Sequence, residues 1–539
     1  MSIRHWSLQG LLLLFCGAAS GLAFAPLAWW PVWLVTVAWL LHTLAQAPWH
    51  RQLWMGWVFG LGAAVATTHW IGIALWHQSS MPKGVSLGAS AIAWLYSAWP
   101  WGLLGMLGAV WDRLGWTGHN STWKLPILTT ALVLAWWSQS WWLGGFPWLV
   151  PGAIWLDTPL QGWGPVGGGL LMAALGLWLA AALSAVWRSR ETHRSGHKAK
   201  AWYVRGAMAL LWMGTFGAGA VLQDTTWTHA LDRTVRVGVV QVDMPSTTQV
   251  GLAQEHAYQR MAWRITDALI VRHDVDVIVW PEGLLISPEG SLREWLAQHE
   301  ELLQERSLAI GAIVQAEAFA ASAQEQVPSS EMPQPRAHNS VLAHGPDSRG
   351  RYDKRELVPM TERWPVDGPW PLLAPWANSQ PWLQAGARHQ APLTLAGQHV
   401  GTSICYEDAF GHIYQGLPAS VSWLINISND GWFARTPVMP AQHLALSRLR
   451  ALEQQKPLVR AANIGPSAVV NAWGQTIART PIGQTQMLHA HVHPRQGHTP
   501  YARWGHAWLG VTGSCLLLLF GASVWRGSRA RLHAAQPPL

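Results

Sequence analysis

The stretch "SICYEDAF" at 403–410 ends an apolar run with a cysteine, a tyrosine and two carboxylates. A thiol attacks a carbonyl carbon only as its thiolate, and a carboxylate made more basic by burial can take the proton. Glu282 in "VWPEG" and Asn429 in "SNDGWF" likewise fall just after apolar runs, and Lys354 stands in "YDKREL". Glu282 is therefore the candidate base for Cys405, and Lys354 offers an ammonium to the oxyanion of a tetrahedral intermediate. Each also has a plainer reading: an inert buried thiol, a solvated strand-end carboxylate, and a surface lysine in a basic run with Arg351 and Arg355.

The elements that must position these residues begin after Asp224, where the composition changes abruptly. "RTVRVGVVQVDM" reads as a strand buried on both faces, a helix is expected from Ala253 to Leu269, and "VDVIVWPEG" is a second apolar strand. "SLREWLAQHEELLQERS" has helical spacing, "LAIGAIVQAEA" reads as a strand, and 321–338 reads as a loop. "NSVLAHGPDSRGRYDKREL" predicts two strands about a turn, with Lys354 on the second. "HVGTSICYEDAF" and "SWLINISNDGWF" each run a strand into a polar tip. "QHLALSRLRALEQQKP" is helical with Leu446, Leu449 and Leu452 on one side, and "LVRAANIGPSAVVNAWG" returns as strands. Alternating strands and helices imply a layered α/β domain, in which sites gather at the carboxyl ends of strands.

The rest of the chain is built for lipid. Half of its 539 residues are hydrophobic, only 12% are charged, and 41 are Trp, a side chain favoured at bilayer interfaces. Apolar spans are read near 8–27, 29–46, 53–76, 86–111, 125–144, 164–187, 202–222 and 507–525, about eight in all. The first resembles a signal peptide at Ala23-Phe24-Ala25 and is read as a retained helix. With the amino terminus cytoplasmic, inner connections carry Arg4, Arg51, Arg113, Lys124, the cluster Arg188, Arg190, Arg194, Lys198 and Lys200, and finally Arg526, Arg529 and Arg531. Among short outer connections only Lys83 is basic, so 225–503 is expected on the far side. The net charge of +8 belongs to this topology and not to nucleic-acid binding. Three domains follow: 1–224 with seven transmembrane helices, 225–503 catalytic, and 504–539 with the last helix and a cytoplasmic tail. Cys16 and Cys515 lie in spans, which leaves Cys405 without a disulfide partner in the exported segment.

"VWPEG", "YDKRELVP" and "SICYEDAF", in that order, resemble the Glu-Lys-Cys constellation of the nitrilase, or carbon–nitrogen hydrolase, superfamily. The resemblance covers about 233–490 and implies an α-β-β-α sandwich. Apolar spans on both sides make the whole chain similar to the apolipoprotein N-acyltransferase family. That resemblance carries over Glu362 in "ELVPMTERWP", Tyr406 and Glu407 after the cysteine, and Trp432 in "SNDGWF". One departure is Met360-Thr361, where the family has Phe-Gly. The implied reaction has two steps. Cys405, deprotonated by Glu282, attacks the sn-1 ester of a phospholipid, typically phosphatidylethanolamine, while Lys354 stabilises the oxyanion. The α-amine of a diacylglyceryl-cysteine apolipoprotein then takes the acyl group from the thioester. No metal or nucleotide cofactor is required, the bilayer is itself a partner, and a monomer is expected. The implied location is the bacterial inner membrane, with the catalytic domain periplasmic. A membrane-anchored amidase using water as acceptor would share the first step.

The stretch 363–382, with Trp364, Trp370, Trp376 and Trp382 among prolines, is too apolar for open water and too irregular to span lipid. It is expected to form a flap over an acyl chain, with Trp364 and Trp370 among the substrate-binding residues. Other signals carry less. His489, His491 and His493 alternate on a strand without further ligand spacing, and His69 is read as bonding a neighbouring helix. "HNST" at 119–122 matches a glycosylation acceptor on the wrong side of the membrane, and Gly167–Gly169 lack a phosphate-binding context.

Overall fold

In the computed structural model, the described residues are 3–78, 82–114, 124–194, 198–244, 252–303, 305–315, 337–359, 361–363, 383–433, 436–515, 517–518 and 521–522. Met360, the four flap tryptophans, nearly all of 321–338 and the "HNST" stretch lie outside them. The chain divides into two compact units: Met1–Gly72 with Lys83–Thr225 and Trp504–Leu539, and Ile73–Pro82 with Thr226–Arg503.

The first unit is helical: α1 (Ile3–Ser20), α2 (Trp30–Gln46), α3 (Trp49–Gln78), α4 (Lys83–Leu114), α5 (Lys124–Ser138), α6 (Gly164–Arg194) and α7 (Lys198–Gln223). Among the described residues, Trp49–His77, Pro159–Ser189 and Trp202–Gln223 are helices long and apolar enough to cross a membrane. The helix read over 125–144 stops at Ser138, and short 3-10 turns occupy 142–163. Several tryptophans pack inside instead of marking an interface: Trp33, Trp136 and Trp155 are buried, with Trp33 rings 6.5 Å from Trp136 and 5.9 Å from Trp155. Where α3 meets α4, a Cβ on Gly56 would lie 2.0 Å from the Trp101 carbonyl oxygen, so the helices approach through small residues, as lipid-embedded helices do.

The second unit carries two sheets. One runs β14-β2-β3-β5-β6-β7, with β4 also on β5, and the other runs β13-β12-β11-β10-β9-β8. The strands of the first are β2 (Val235–Gln241), β3 (Val277–Val279), β4 (Leu285–Pro288), β5 (Ser307–Gln315), β6 (Ala337–His344), β7 (Arg351–Asp353) and β14 (Gln486–Val492). The second contains β8 (Leu393–Leu395), β9 (Gln398–Ile404), β10 (Val421–Ser428), β11 (Leu458–Ala462), β12 (Ala468–Val470) and β13 (Thr476–Arg479). A two-residue ribbon pairs β1 (His229–Ala230) with β15 (Arg495–Gln496).

Alternation along the strands builds the layers. Val235, Val237 and Val239 of β2 join Val400, Ile425, Ile427 and Val459 of the other sheet in one buried cluster between the sheets. Val240, Ile278 and Ile310 face the opposite way and pack on Leu269 of α8 (Leu252–His273) and Leu292 of α9 (Glu289–Ala297). After the short α10 (Glu300–Leu303), α11 (Val438–Gln454) packs on β11 and β12. The result is the expected α-β-β-α sandwich. Residues on nearly every side of α11 are buried, so Leu446, Leu449 and Leu452 are only part of its contact surface.

Candidate active site

Glu282 lies just past β3, Lys354 is the first residue after β7, Cys405 follows β9 directly, and Asn429 follows β10. Parallel pairing of β10 with both β9 and β11 sets the ends of the second sheet level, so its polar tips emerge together.

Lys354 is fully buried, which removes it from the surface run suggested by its arginine neighbours. Its Nζ donates to Glu282 Oε1 at 3.3 Å and to Glu362 Oε1 at 2.8 Å. Burial works against the charge, but the carboxylates of Glu282 and Glu362, with Cys405, outweigh it and hold the ammonium above its ordinary value. Glu282 Oε1 also accepts from Asn339 Nδ2 at 2.5 Å, and its Oε2 accepts from the Asn429 backbone N–H at 2.7 Å. Three donors thus face an acceptor-only group and fix its direction. Glu362 Oε2 in turn accepts from the Val358 N–H at 2.8 Å.

Cys405 adopts φ 51°, a left-handed conformation that a non-glycine residue enters only when its surroundings impose it. Burial and the nearby Glu282 raise the thiol well above its ordinary 9.0, while Lys354 pulls the other way. The resting group is therefore a thiol and not a standing thiolate. Attack requires a base at the moment of reaction, which suits Glu282.

Glu407 is fully buried two residues on. It accepts from the backbone N–H of Ile404 at 2.7 Å, of Arg355 at 2.6 Å and of Glu356 at 3.1 Å, and from the Tyr352 hydroxyl at 3.0 Å. One carboxylate thereby ties the cysteine turn to the segment bearing Lys354. Burial lifts Glu407 to about 7 despite these backbone donors. Tyr406 is buried, its ring edge-on to Phe410 at 5.0 Å, and Trp432 is half-buried in the 3-10 turn Asp430–Phe433. His489, set aside in the sequence, stacks on His273 at 3.7 Å; among the described residues no cluster of His, Cys, Asp or Glu suits a metal ion.

Sequence reasoning assigned nothing to Asn339, His443, Asp430 or Arg460. Arg460 did leave a signal, a guanidinium within the apolar strand "LVRAA", which must find a buried partner. Asn339 left none beyond its place at the start of an apolar run.

Two stretches of the chain match described families. Residues 236–499 match Carbon-nitrogen hydrolase, and residues 16–182 match the Apolipoprotein N-acyltransferase N-terminal domain. Among curated relatives, the apolipoprotein N-acyltransferase of Azotobacter vinelandii is 30% identical, covering 98% of this chain and 96% of the relative. That of Vibrio cholerae is 28% identical over 98% and 99%, and that of Pseudomonas aeruginosa 30% over 94% of each. With both domains in order and the likeness running nearly end to end, this chain belongs to the apolipoprotein N-acyltransferase family.

Proposed function

We propose that the protein is a membrane acyltransferase that moves a fatty acyl chain from a phospholipid to the amino-terminal cysteine of a diacylglyceryl apolipoprotein, the final step of lipoprotein maturation. The observation that carries this reading is the Glu282–Lys354–Glu362 group, with Glu282 and Lys354 buried, beside the strained turn of Cys405. Glu282 takes the thiol proton as sulfur attacks the sn-1 ester carbonyl. The ammonium of Lys354 compensates the developing oxyanion. Collapse of the tetrahedral intermediate breaks the ester C–O bond, and the proton on Glu282 passes to the departing lysophospholipid oxygen. The acyl group now rests on Cys405 as a thioester. The apolipoprotein α-amine attacks it, Glu282 accepts the amine proton, and as the C–S bond breaks an amide forms and that proton passes to the departing sulfur, restoring the Cys405 thiol.

Phosphatidylethanolamine is the donor in this reading, and the enzyme acts as a monomer. Glu407 and Tyr406 support the nucleophile turn, while Trp432, with Trp364 and Trp370, borders the acyl chain. The three-part organisation, 1–224, 225–503 and 504–539, puts the catalytic domain on the periplasmic side of the bacterial inner membrane, an assignment supported by the basic inner connections.

The test is intact-mass analysis of the purified full-length protein incubated with phosphatidylethanolamine. A single acyl adduct is expected on the wild type and none on Cys405→Ala. Added diacylglyceryl lipopeptide should discharge the adduct into an N-acyl product. Decay to free fatty acid alone would identify a hydrolase, and no adduct at all would refute the thioester route.

A further inference from the structure

Behind the nucleophile lies a polar cluster that the reaction above does not use. Asn426, Asp430, His443 and Arg460 are all fully buried. Arg460, on β11, donates through Nη1 to Asn426 Oδ1 at 2.6 Å and through Nη2 to Asp430 Oδ2 at 2.8 Å. His443, on α11, sets its Nδ1 3.1 Å from Asp430 Oδ1 and 3.0 Å from Arg460 Nη2. Asp430 Oδ1 accepts also from the Ser428 hydroxyl at 2.7 Å. Burial alone would push this carboxyl up, but the charge of Arg460 and the contact with His443 reverse the direction and hold it well below the carboxylate range.

The remaining nitrogen of the imidazole reaches the backbone of the nucleophile itself: His443 Nε2 donates to the Cys405 carbonyl oxygen at 2.9 Å. Asn426 Nδ2 stands farther from that oxygen, at 3.5 Å. A left-handed non-glycine residue is strained and persists only where neighbours over-determine it. On the amino side of Cys405 that constraint is Glu407, through the Ile404 N–H; on the carboxyl side it is His443. Because the peptide unit is planar, holding the carbonyl fixes the direction in which the chain leaves the cysteine. Asp430 and Arg460 in turn deny the ring any other orientation.

We propose that His443, oriented by Asp430 and Arg460, is a positioning residue for this enzyme: its Nε2–H clamps the Cys405 carbonyl and keeps the sulfur aimed at Glu282 and Lys354. The proposal rests on Cys405 being the nucleophile. In this role His443 acts through the Cys405 backbone and not by exchanging a proton with substrate or sulfur.

The test uses the full-length protein in nanodiscs containing phosphatidylethanolamine. It has two readouts: the rate at which Cys405 gains an acyl group, and the pH profile of Cys405 alkylation by iodoacetamide, read on the Cys405 peptide. His443→Ala should slow acylation about a hundredfold, while His443→Gln, whose amide can donate to the same carbonyl, should recover to within about tenfold of wild type. The alkylation midpoint of His443→Ala should move to lower pH as the sulfur drifts from Glu282 and Lys354, because the raising effect of Glu282 outweighs the lowering effect of Lys354, and that of His443→Gln should not. A purely structural role would lower the thermal midpoint without moving the alkylation profile. If His443→Ala does not fold, His443→Met, which fills similar space without a donor, replaces it. Wild-type acylation and an unshifted profile in either apolar variant would overturn the proposal. So would a folded His443→Gln as slow as the apolar variant. A wild type that is alkylated but never acylated would refute the acyl-transfer function instead, and the alkylation profiles would still decide the role of His443.

Discussion

In the proposed reaction Glu282 acts on Cys405 in two opposite ways. As a nearby negative charge it raises the thiol, and as a positioned base it removes the thiol's proton during attack. The two effects separate in Glu282→Gln. Loss of the charge should lower the thiol and speed alkylation by iodoacetamide at neutral pH, whereas acyl-enzyme formation should fall by about 10²–10⁴-fold, the usual size of a general-base contribution. Parallel alkylation and intact-mass time courses check both; a variant slowed in alkylation would contradict the charge effect. Glu407 gives a pH test. Its carboxyl rises from an ordinary 4.5 to about 7 on folding, so its contribution to stability is full below the unfolded value and is lost as pH climbs towards the folded one. Glu407→Gln turns an amide N–H towards backbone donors and should cost about 1–3 kcal/mol. Its deficit against wild type should be largest near about pH 5 and shrink towards about pH 8 in denaturation curves, and a deficit that grows with pH would reverse the assignment.

The strands that carry these side chains depend on close approaches that a motif does not reveal. Gly311, in the middle of β5, is one: a Cβ there would stand 2.4 Å from the Pro281 carbonyl oxygen, 2.6 Å from Ile427 Cδ1 and 2.8 Å from Glu282 Cα. Two of these three atoms belong to backbone and cannot swing aside. Gly311→Ala should displace Glu282 and slow acyl-enzyme formation by about a hundredfold, at a stability cost of about 1–3 kcal/mol visible as a lower thermal midpoint. The long apolar strands and the polar residues ending them were legible because their signal is local: "VWPEG" and "SICYEDAF" each show a buried run and its tip within ten residues. The support beneath was not. Asn339 meets Glu282 across 57 positions, and Arg460 meets Asp430 across 30. β4 and β8 were passed over because four and three residues are too few to show a period. Lys354, placed on a strand by its sequence, stands one residue beyond it, at the end where it can turn inward.

On the scale of the molecule, one chain serves two solvents, and the apolar composition of the first 225 residues made that division readable. The proposed orientation has a direct check. Val271, 72% exposed on α8, should, as Val271→Cys, react with a membrane-impermeant maleimide in cells whose outer membrane alone has been opened. Labelling only after the inner membrane is lysed would place the catalytic unit in the cytoplasm. The closing strand of the first sheet carries a further implication. β14 pairs with β2 across its whole length, joining Met487 to Val240 and His489 to Gly238. During synthesis β2 emerges some 250 residues ahead of the partner that seals its open edge. Until then a Val-rich ribbon waits with one edge of its amides unsatisfied, an invitation to mispair with other nascent chains. Synthesis of this enzyme therefore demands that the waiting edge be shielded, and a ribosome stalled short of residue 486 would leave behind a sticky fragment, not a partial catalyst.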